Sequence, residues 1–226
     1  MNSNSYATWH SDAVREPEME AAHRPLWRHF IEAVPESDFS TRDVLDFGCN
    51  RGGFLRLLYA LKPFRHAIGF DIAHASISAA RDLAGVAPVD YHVASELSAW
   101  PERFDIAFSY EVIYLLPDIT AHAADMYAAL RPGGAYYAVT GCHTDSPLWP
   151  AFRRAIVEST NAPVHDRTPE DYATAFASAG FDVSVRRFGY AGFVPVPKDS
   201  RYYAKLIDAI DYAAEYKLLF RAVKRS

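Results

Sequence analysis

Apolar residues fall into two alternating rhythms along this chain: short continuous runs, and stretches in which they recur every three to four positions. Residues 16–34 set Met19, Leu26, Phe30 and Ile31 on one helical face, and Pro25 interrupts the run, which leaves one helix or two short ones open. Asp43-Val44-Leu45-Asp46-Phe47 reads as a strand that stops at Gly48. Residues 52–62 read as a helix through Phe54, Leu57, Leu58 and Leu61, closed by Pro63. The unit then repeats, with strands at 67–70, 90–93, 104–109 and 135–140 and helices at 74–84 and 118–130. Strands separated by helices of this length predict βαβ units and a mainly parallel sheet, whose doubly covered strands are expected to be nearly all apolar.

Past Gly141 the rhythm changes. Residues 148–159 read as helical, and Thr168-Pro169-Glu170-Asp171 starts another helix, with threonine as cap, proline in the first turn and Gly180 as the stop. Residues 181–188 alternate as a half-buried strand does. Residues 200–214 predict a further helix, and residues 216–223 a seventh and last strand. No repeat, low-complexity tract or linker divides the chain, so residues 1–226 are read as one domain.

Composition narrows the partners. The chain has 226 residues, 50% of them hydrophobic, which is enough to build a core without disulfides or metals. Lys and Arg number 23 against 28 Asp and Glu, a formal charge of −5 with no basic stripe, so nucleic acid is not expected as a partner. No run of roughly 18 apolar residues exists to span a membrane. Cys49 and Cys142 form no CxxC pair, and the polar amino terminus has no apolar signal region. A cytoplasmic setting is the expectation.

The chemistry concentrates where the first strand ends. Asp46-Phe47-Gly48-Cys49-Asn50-Arg51-Gly52-Gly53 is a glycine-rich loop between a strand and a helix, the place where open parallel sheets hold ligands. Asp71 ends the second strand twenty-five residues beyond Asp46, close to the spacing at which a carboxylate reaches both ribose hydroxyls of a nucleoside. A pyrophosphate is disfavoured, because Asp46 puts negative charge at the mouth of the loop and Asn50 replaces a middle glycine. An adenosyl group bearing a positive centre fits better, which points to S-adenosyl-L-methionine.

On these residues the chain resembles the class I S-adenosylmethionine-dependent methyltransferases of small-molecule type. Val44 to Gly53 resembles their first motif, Gly69-Phe70-Asp71-Ile72 their ribose-binding acid, residues 104–114 their fourth strand and following loop, and Leu130-Arg131-Pro132-Gly133-Gly134 the turn before the fifth. The resemblance implies a Rossmann-like three-layer α/β sandwich, with a mainly parallel seven-stranded sheet and an antiparallel last strand. It implies lid helices in residues 1–40, a cofactor core in 41–140, and substrate-side helices with the last two strands in 141–226. The backbone of Gly48, Cys49, Asn50 and Gly52 would pass the methionine part, with Asp46 near its ammonium. Asp71 would hold the ribose and Ile72 would flank the adenine. Ser95 and Glu96 would meet the adenine edge, and Tyr110 and Glu111 would border the methyl end.

Relatives that bind a metal continue the loop after the fourth strand as Glu-x-x-Glu-His. Tyr114 and Leu115 stand at the last two places here, so no metal is expected. A base is useful when the acceptor is a hydroxyl or protonated amine. His143, Tyr114 and His10 are the catalytic candidates, with His74 as a further histidine. Tyr190, Phe193, Tyr202 and Tyr203 would wall an apolar acceptor. The expected activity is methyl transfer to nitrogen or oxygen of a small molecule. The alternatives are a protein or RNA methyltransferase and, from another class, a nicotinamide-dependent oxidoreductase.

Overall fold

The computed structural model describes residues 15–160, 162–196 and 202–226. Seven strands form one sheet: β1 (Asp43–Phe47), β2 (His66–Asp71), β3 (Val89–Val93), β4 (Phe104–Tyr110), β5 (Leu130–Thr140), β6 (Phe181–Arg187) and β7 (Leu218–Lys224). Their order is β3-β2-β1-β4-β5-β7-β6. All pairings among β1 to β5 are parallel, and β7 is antiparallel to both β5 and β6. β7 alone therefore runs against the rest, as the sequence predicts for the last strand. The order reverses direction between β1 and β4, and that switch point opens a crevice beyond their carboxyl ends.

Alternate side chains of each buried strand go to opposite faces. Val44, Ile106 and Phe108 pack on one side with α1 (Arg15–Ala33), α2 (Gly53–Leu61) and α3 (His74–Leu83). Leu45, Ala107 and Tyr136 pack on the other with α4 (Ile119–Ala129) and α6 (Pro169–Ser178). Asp46 shares the strand face of Val44, so its carboxyl lies under the loop that leaves β1. The predicted cap of α6 is present in full: Thr168 accepts from the Asp171 amide at 3.1 Å, and the Asp171 side chain accepts from the Thr168 amide at 2.8 Å. Among the described residues no helix is long and apolar enough to cross a membrane.

One alternative closes, β5 already begins at Leu130 where a turn before the strand is expected, and one helix shortens. Pro25 does not divide the first helix, and α1 runs from Arg15 to Ala33 unbroken. The carbonyl that loses its helical donor is that of Ala21, which is exposed and open to water. The late helix is shorter than its sequence pattern. α7 covers Leu206–Asp211 and widens into a π-turn over Tyr212–Tyr216, so β7 starts two residues later than predicted. Lys217 closes that π-turn by donating its amide to the Tyr212 carbonyl at 3.0 Å.

At the amino end of the sheet, Asp43 is 1% exposed and ties three arginines together. It accepts from Arg65 Nε at 2.9 Å, from Arg131 Nη2 at 2.9 Å, and from Arg103. Burial pushes the Asp43 carboxyl up, but the guanidiniums of Arg65, Arg131 and Arg103 together hold it below the usual carboxylate range. This stabilisation is present at neutral pH and is lost as pH falls below about 4. Asp43→Ala takes that acceptor from Arg65 and Arg103, while Arg131 keeps Asp105 at 3.0 Å, and should cost about 1–3 kcal/mol in urea unfolding. A loss within experimental error would show that water replaces the carboxylate without penalty.

Candidate functional site

The loop after β1 is shaped by contacts that leave no room for side chains. Gly48 (φ +84) and Gly52 (φ +73) are left-handed, and so is Asn50 at φ +46. A Cβ on Gly48 would lie 2.2 Å from Val112 Cγ2, and one on Gly52 would lie 2.2 Å from the Tyr91 hydroxyl oxygen. Val112 and Tyr91 are thus the walls of the loop, and neither stands out in the sequence. Gly52→Ala combines a strained φ with a clash against the Tyr91 ring. It should lower stability by about 1–3 kcal/mol. Tyr91→Phe would not relieve it, since ring carbons also lie within 2.5–2.8 Å. Thermal unfolding of the single and double variants checks both statements.

Two carboxyls meet beneath this loop. Asp71 accepts the Asn50 amide on Oδ2 and the Ala73 amide on Oδ1, both at 2.8 Å. Asp46 is 3% exposed, and its Oδ2 has no hydrogen-bond partner among the described residues. Burial, and then the charge of Asp71, pushes the Asp46 carboxyl up to about 8. Burial also raises Asp71, against the pull of its backbone donors. α1 adds two more acids. Glu16 Oε2 accepts from Asn50 Nδ2 at 2.8 Å, and Glu20 pairs with Arg56 at 2.7 Å. Cys49 lies buried in the same loop, with its amide on the Phe70 carbonyl at 3.0 Å.

The remaining predicted cofactor contacts are spread along the rim. Ile72 is 54% exposed beside Asp71. Ser95 and Glu96 are exposed on a 3₁₀ turn (Ala94–Ala99), where Glu96 holds His92 Nδ1 at 2.8 Å. Tyr110 is half-buried and faces the His23 ring of α1, centroids 5.5 Å apart. Glu111 meets the same lysine as the Tyr110 hydroxyl. Its backbone is left-handed at φ +55, and its carboxylate takes hydrogen bonds from Lys217 Nζ at 2.5 Å and Tyr212 Oη at 2.9 Å. Thr140 Oγ1 at 3.2 Å and the Gly141 amide at 3.3 Å complete its partners.

Of the catalytic candidates, His143 and Tyr114 come to this same end of the sheet. His143 is 4% exposed, and its Nε2 lies 2.8 Å from the Tyr216 carbonyl oxygen. A carbonyl only accepts, so Nε2 carries a hydrogen, and in the neutral ring Nδ1 keeps its lone pair. That Nδ1 is buried and without a partner among the described residues, as are Ser146 Oγ and His165 Nε2 on neighbouring segments. Tyr114 is buried in an aromatic cluster with Trp149, Phe152 and Tyr212, and burial pushes its hydroxyl well above the ordinary range. His74 is exposed at the start of α3. His10 lies outside the described residues.

The predicted aromatic wall divides. Tyr202 and Tyr203 join the cluster through Phe152, centroids 5.4 and 5.1 Å apart. Tyr190 instead packs on His29 of α1, and Phe193 is 98% exposed. Sequence reading passed over Lys217, Tyr212, Ser146, His165 and Glu16. A lysine beside a strand and a glutamate at a helix start read as solvated positions.

Comparison with known proteins agrees with this fold. The methyltransferase domain family matches residues 19–184. A ubiquinone biosynthesis O-methyltransferase of Methylobacterium is 30% identical over 184 residues, covering 75% of this chain and 70% of that one. Among solved structures, a chain of the complex between the Haloferax volcanii Trm112 methyltransferase activator and a methyltransferase superposes with a TM-score of 0.80, at 19% identity and 95% coverage of both chains. An S-adenosylmethionine-dependent methyltransferase of Mesorhizobium loti superposes with a TM-score of 0.65, at 20% identity, covering 90% of this chain and 98% of that one.

Proposed function

We propose, for a chain that belongs to the class I S-adenosylmethionine-dependent methyltransferases, that its acceptor is a hydroxyl oxygen on a small aromatic molecule. The observation that carries this reading is the buried, uncommitted Nδ1 of His143 beside an aromatic cluster. A hydroxyl must lose a proton as it is methylated, and a desolvated imidazole lone pair is suited to take it. The name of the Methylobacterium relative, which specifies O-methylation, supports the same choice. The nicotinamide alternative is set aside by the family.

The residues at the β1 loop fit the methyl donor, because the orphaned Asp46 oxygen is the partner its ammonium needs. When bound, S-adenosylmethionine supplies a methyl group on a sulfonium, a leaving group that needs no acid. Asp46 would hold the ammonium. Each Asp71 oxygen accepts one backbone amide and keeps acceptor capacity for a ribose hydroxyl. Ile72 would flank the adenine, with Ser95 and Glu96 at its edge, while Gly48, Cys49, Asn50 and Gly52 would line the methionine part with backbone. α1 would cover the loop through the Glu16–Asn50 bond, and Tyr110 would stand between donor and acceptor. Alignment of the acceptor with the sulfur–methyl bond would be the protein's main contribution.

Methyl-labelled S-adenosylmethionine, offered with catechol, 3,4-dihydroxybenzoate, aniline, bulk RNA and a mixed protein extract, tests the assignment. Label is expected in the methyl ethers of the phenols. Label confined to aniline, RNA or protein would overturn it.

A further inference from the structure

The ammonium of Lys217 is enclosed at the carboxyl ends of β4 and β5, where the π-turn delivers the chain into β7. The residue is 2% exposed. Its Nζ lies 2.5 Å from Glu111 Oε1 and 2.8 Å from the Tyr110 hydroxyl, over the faces of the Tyr110 and Tyr212 rings at 4.6 and 4.8 Å. Burial works to strip its proton, but Glu111, Tyr110 and Tyr203 outweigh it and hold the amine above its ordinary range. A charge pair taken this far out of water is a weak source of stability, so its presence at the rim of the site calls for a use.

Proton bookkeeping supplies one. Lys217 has no lone pair, so it is the donor to Tyr110, and the hydrogen of Tyr110 must point elsewhere. The other tyrosine on the ammonium differs, since Tyr212 spends its hydrogen on Glu111 Oε1 at 2.9 Å. Tyr212 is also buried, whereas Tyr110 is half-buried and borders α1. Of the pair, only Tyr110 offers a hydrogen to a ligand, and a cation on its oxygen strengthens that donor. The π-turn that seats Lys217 also supplies the Tyr216 carbonyl to His143. One local irregularity thus holds both Lys217 and His143 in place.

We propose that Lys217 is a positioning residue that acts through Tyr110, fixing the Tyr110 hydroxyl as a hydrogen-bond donor to an oxygen of the acceptor. The inference rests on the O-methylation reading above. Glu111→Gln/Lys217→Met removes both charges together, so no buried ion is stranded. With 3,4-dihydroxybenzoate as the probe, this variant should raise the acceptor KM about tenfold, well beyond any change in the Kd for S-adenosylhomocysteine. Tyr110→Phe should do the same, and the triple variant should be no worse than Tyr110→Phe alone. An unchanged KM in Tyr110→Phe, which removes one rim hydroxyl and leaves the charge pair in place, overturns the proposal even if the charge variant does not fold. Additive losses in the triple variant, or a KM rise matched by weakened S-adenosylhomocysteine binding, overturn it as well. A wild-type protein that methylates no phenol overturns the functional reading and this inference together.

Discussion

Asp46→Asn should weaken binding of S-adenosylmethionine by about 10- to 100-fold, the usual worth of a hydrogen bond to a charged partner. It should do so while making the cofactor-free protein more stable at pH 8. Both effects come from one carboxyl that is buried with an orphaned oxygen and pushed up to about 8 by burial and by Asp71. An unfolded aspartate ionises near pH 4, so between about 4 and 8 the folded chain holds a proton that the unfolded chain has lost. Stability without cofactor therefore falls as pH rises through that window and levels off above it. The ammonium of the donor reverses the preference, so binding at pH 7 should expel about one proton from the Asp46–Asp71 pair. Calorimetry in two buffers of different ionisation enthalpy counts it. Wild type that releases no proton, or Asp46→Asn that releases as many, would place the ammonium elsewhere.

The same carboxyl shows what a linear sequence discloses. Asp46 is the fourth of the five residues of β1 and stands two before Gly48, so its place at a ligand-facing loop could be read directly. β1, β2, β4 and β5 were legible because strands covered on both faces have to be largely apolar, and the turns between them need glycine or proline at fixed points. The identity of the loop's walls was not legible. Tyr91 and Val112 abut Gly52 and Gly48 only because parallel pairing sets β2 against β3 and β1 against β4.

The acceptor side was half visible. His143 could be named as a candidate from its position after β5, but its tautomer depends on the Tyr216 carbonyl, seventy-three residues away in the chain. Lys217 was invisible, because a lysine at a strand start is ordinarily solvated. The π-turn that buries it has no local signature, and of the helical pattern over residues 200–214 the described residues 202–214 are α-helical over Leu206–Asp211 and widen from Tyr212. Glu111 was read from the resemblance as bordering the methyl end. Its carboxylate is engaged by Tyr212 and Lys217, partners that no local pattern announces. Pro25 left one helix or two open, since a strong local breaker is tolerated where the freed carbonyl faces water.

His143→Gln should lower kcat for catechol by about 10²- to 10⁴-fold, the range expected for removing a positioned general base. Glutamine keeps a donor for the Tyr216 carbonyl and offers no basic nitrogen, so the fold and the affinity for S-adenosylhomocysteine should stay close to wild type. Loss of rate alone would not separate a base from a packing residue, but the acidity of the acceptor does. A phenol that is already ionised has no proton for His143 to take. The deficit of the variant should therefore shrink to less than about tenfold with 4-nitrocatechol, whose nitro group makes the hydroxyl far more acidic. The pH profile adds a second check. With catechol, the variant's rate should climb as hydroxide replaces the missing base, while wild type flattens. An equal deficit for both phenols would mean that His143 shapes the pocket through its bond to Tyr216 and takes no proton, and the oxygen would then have to reach the site as phenolate from solvent.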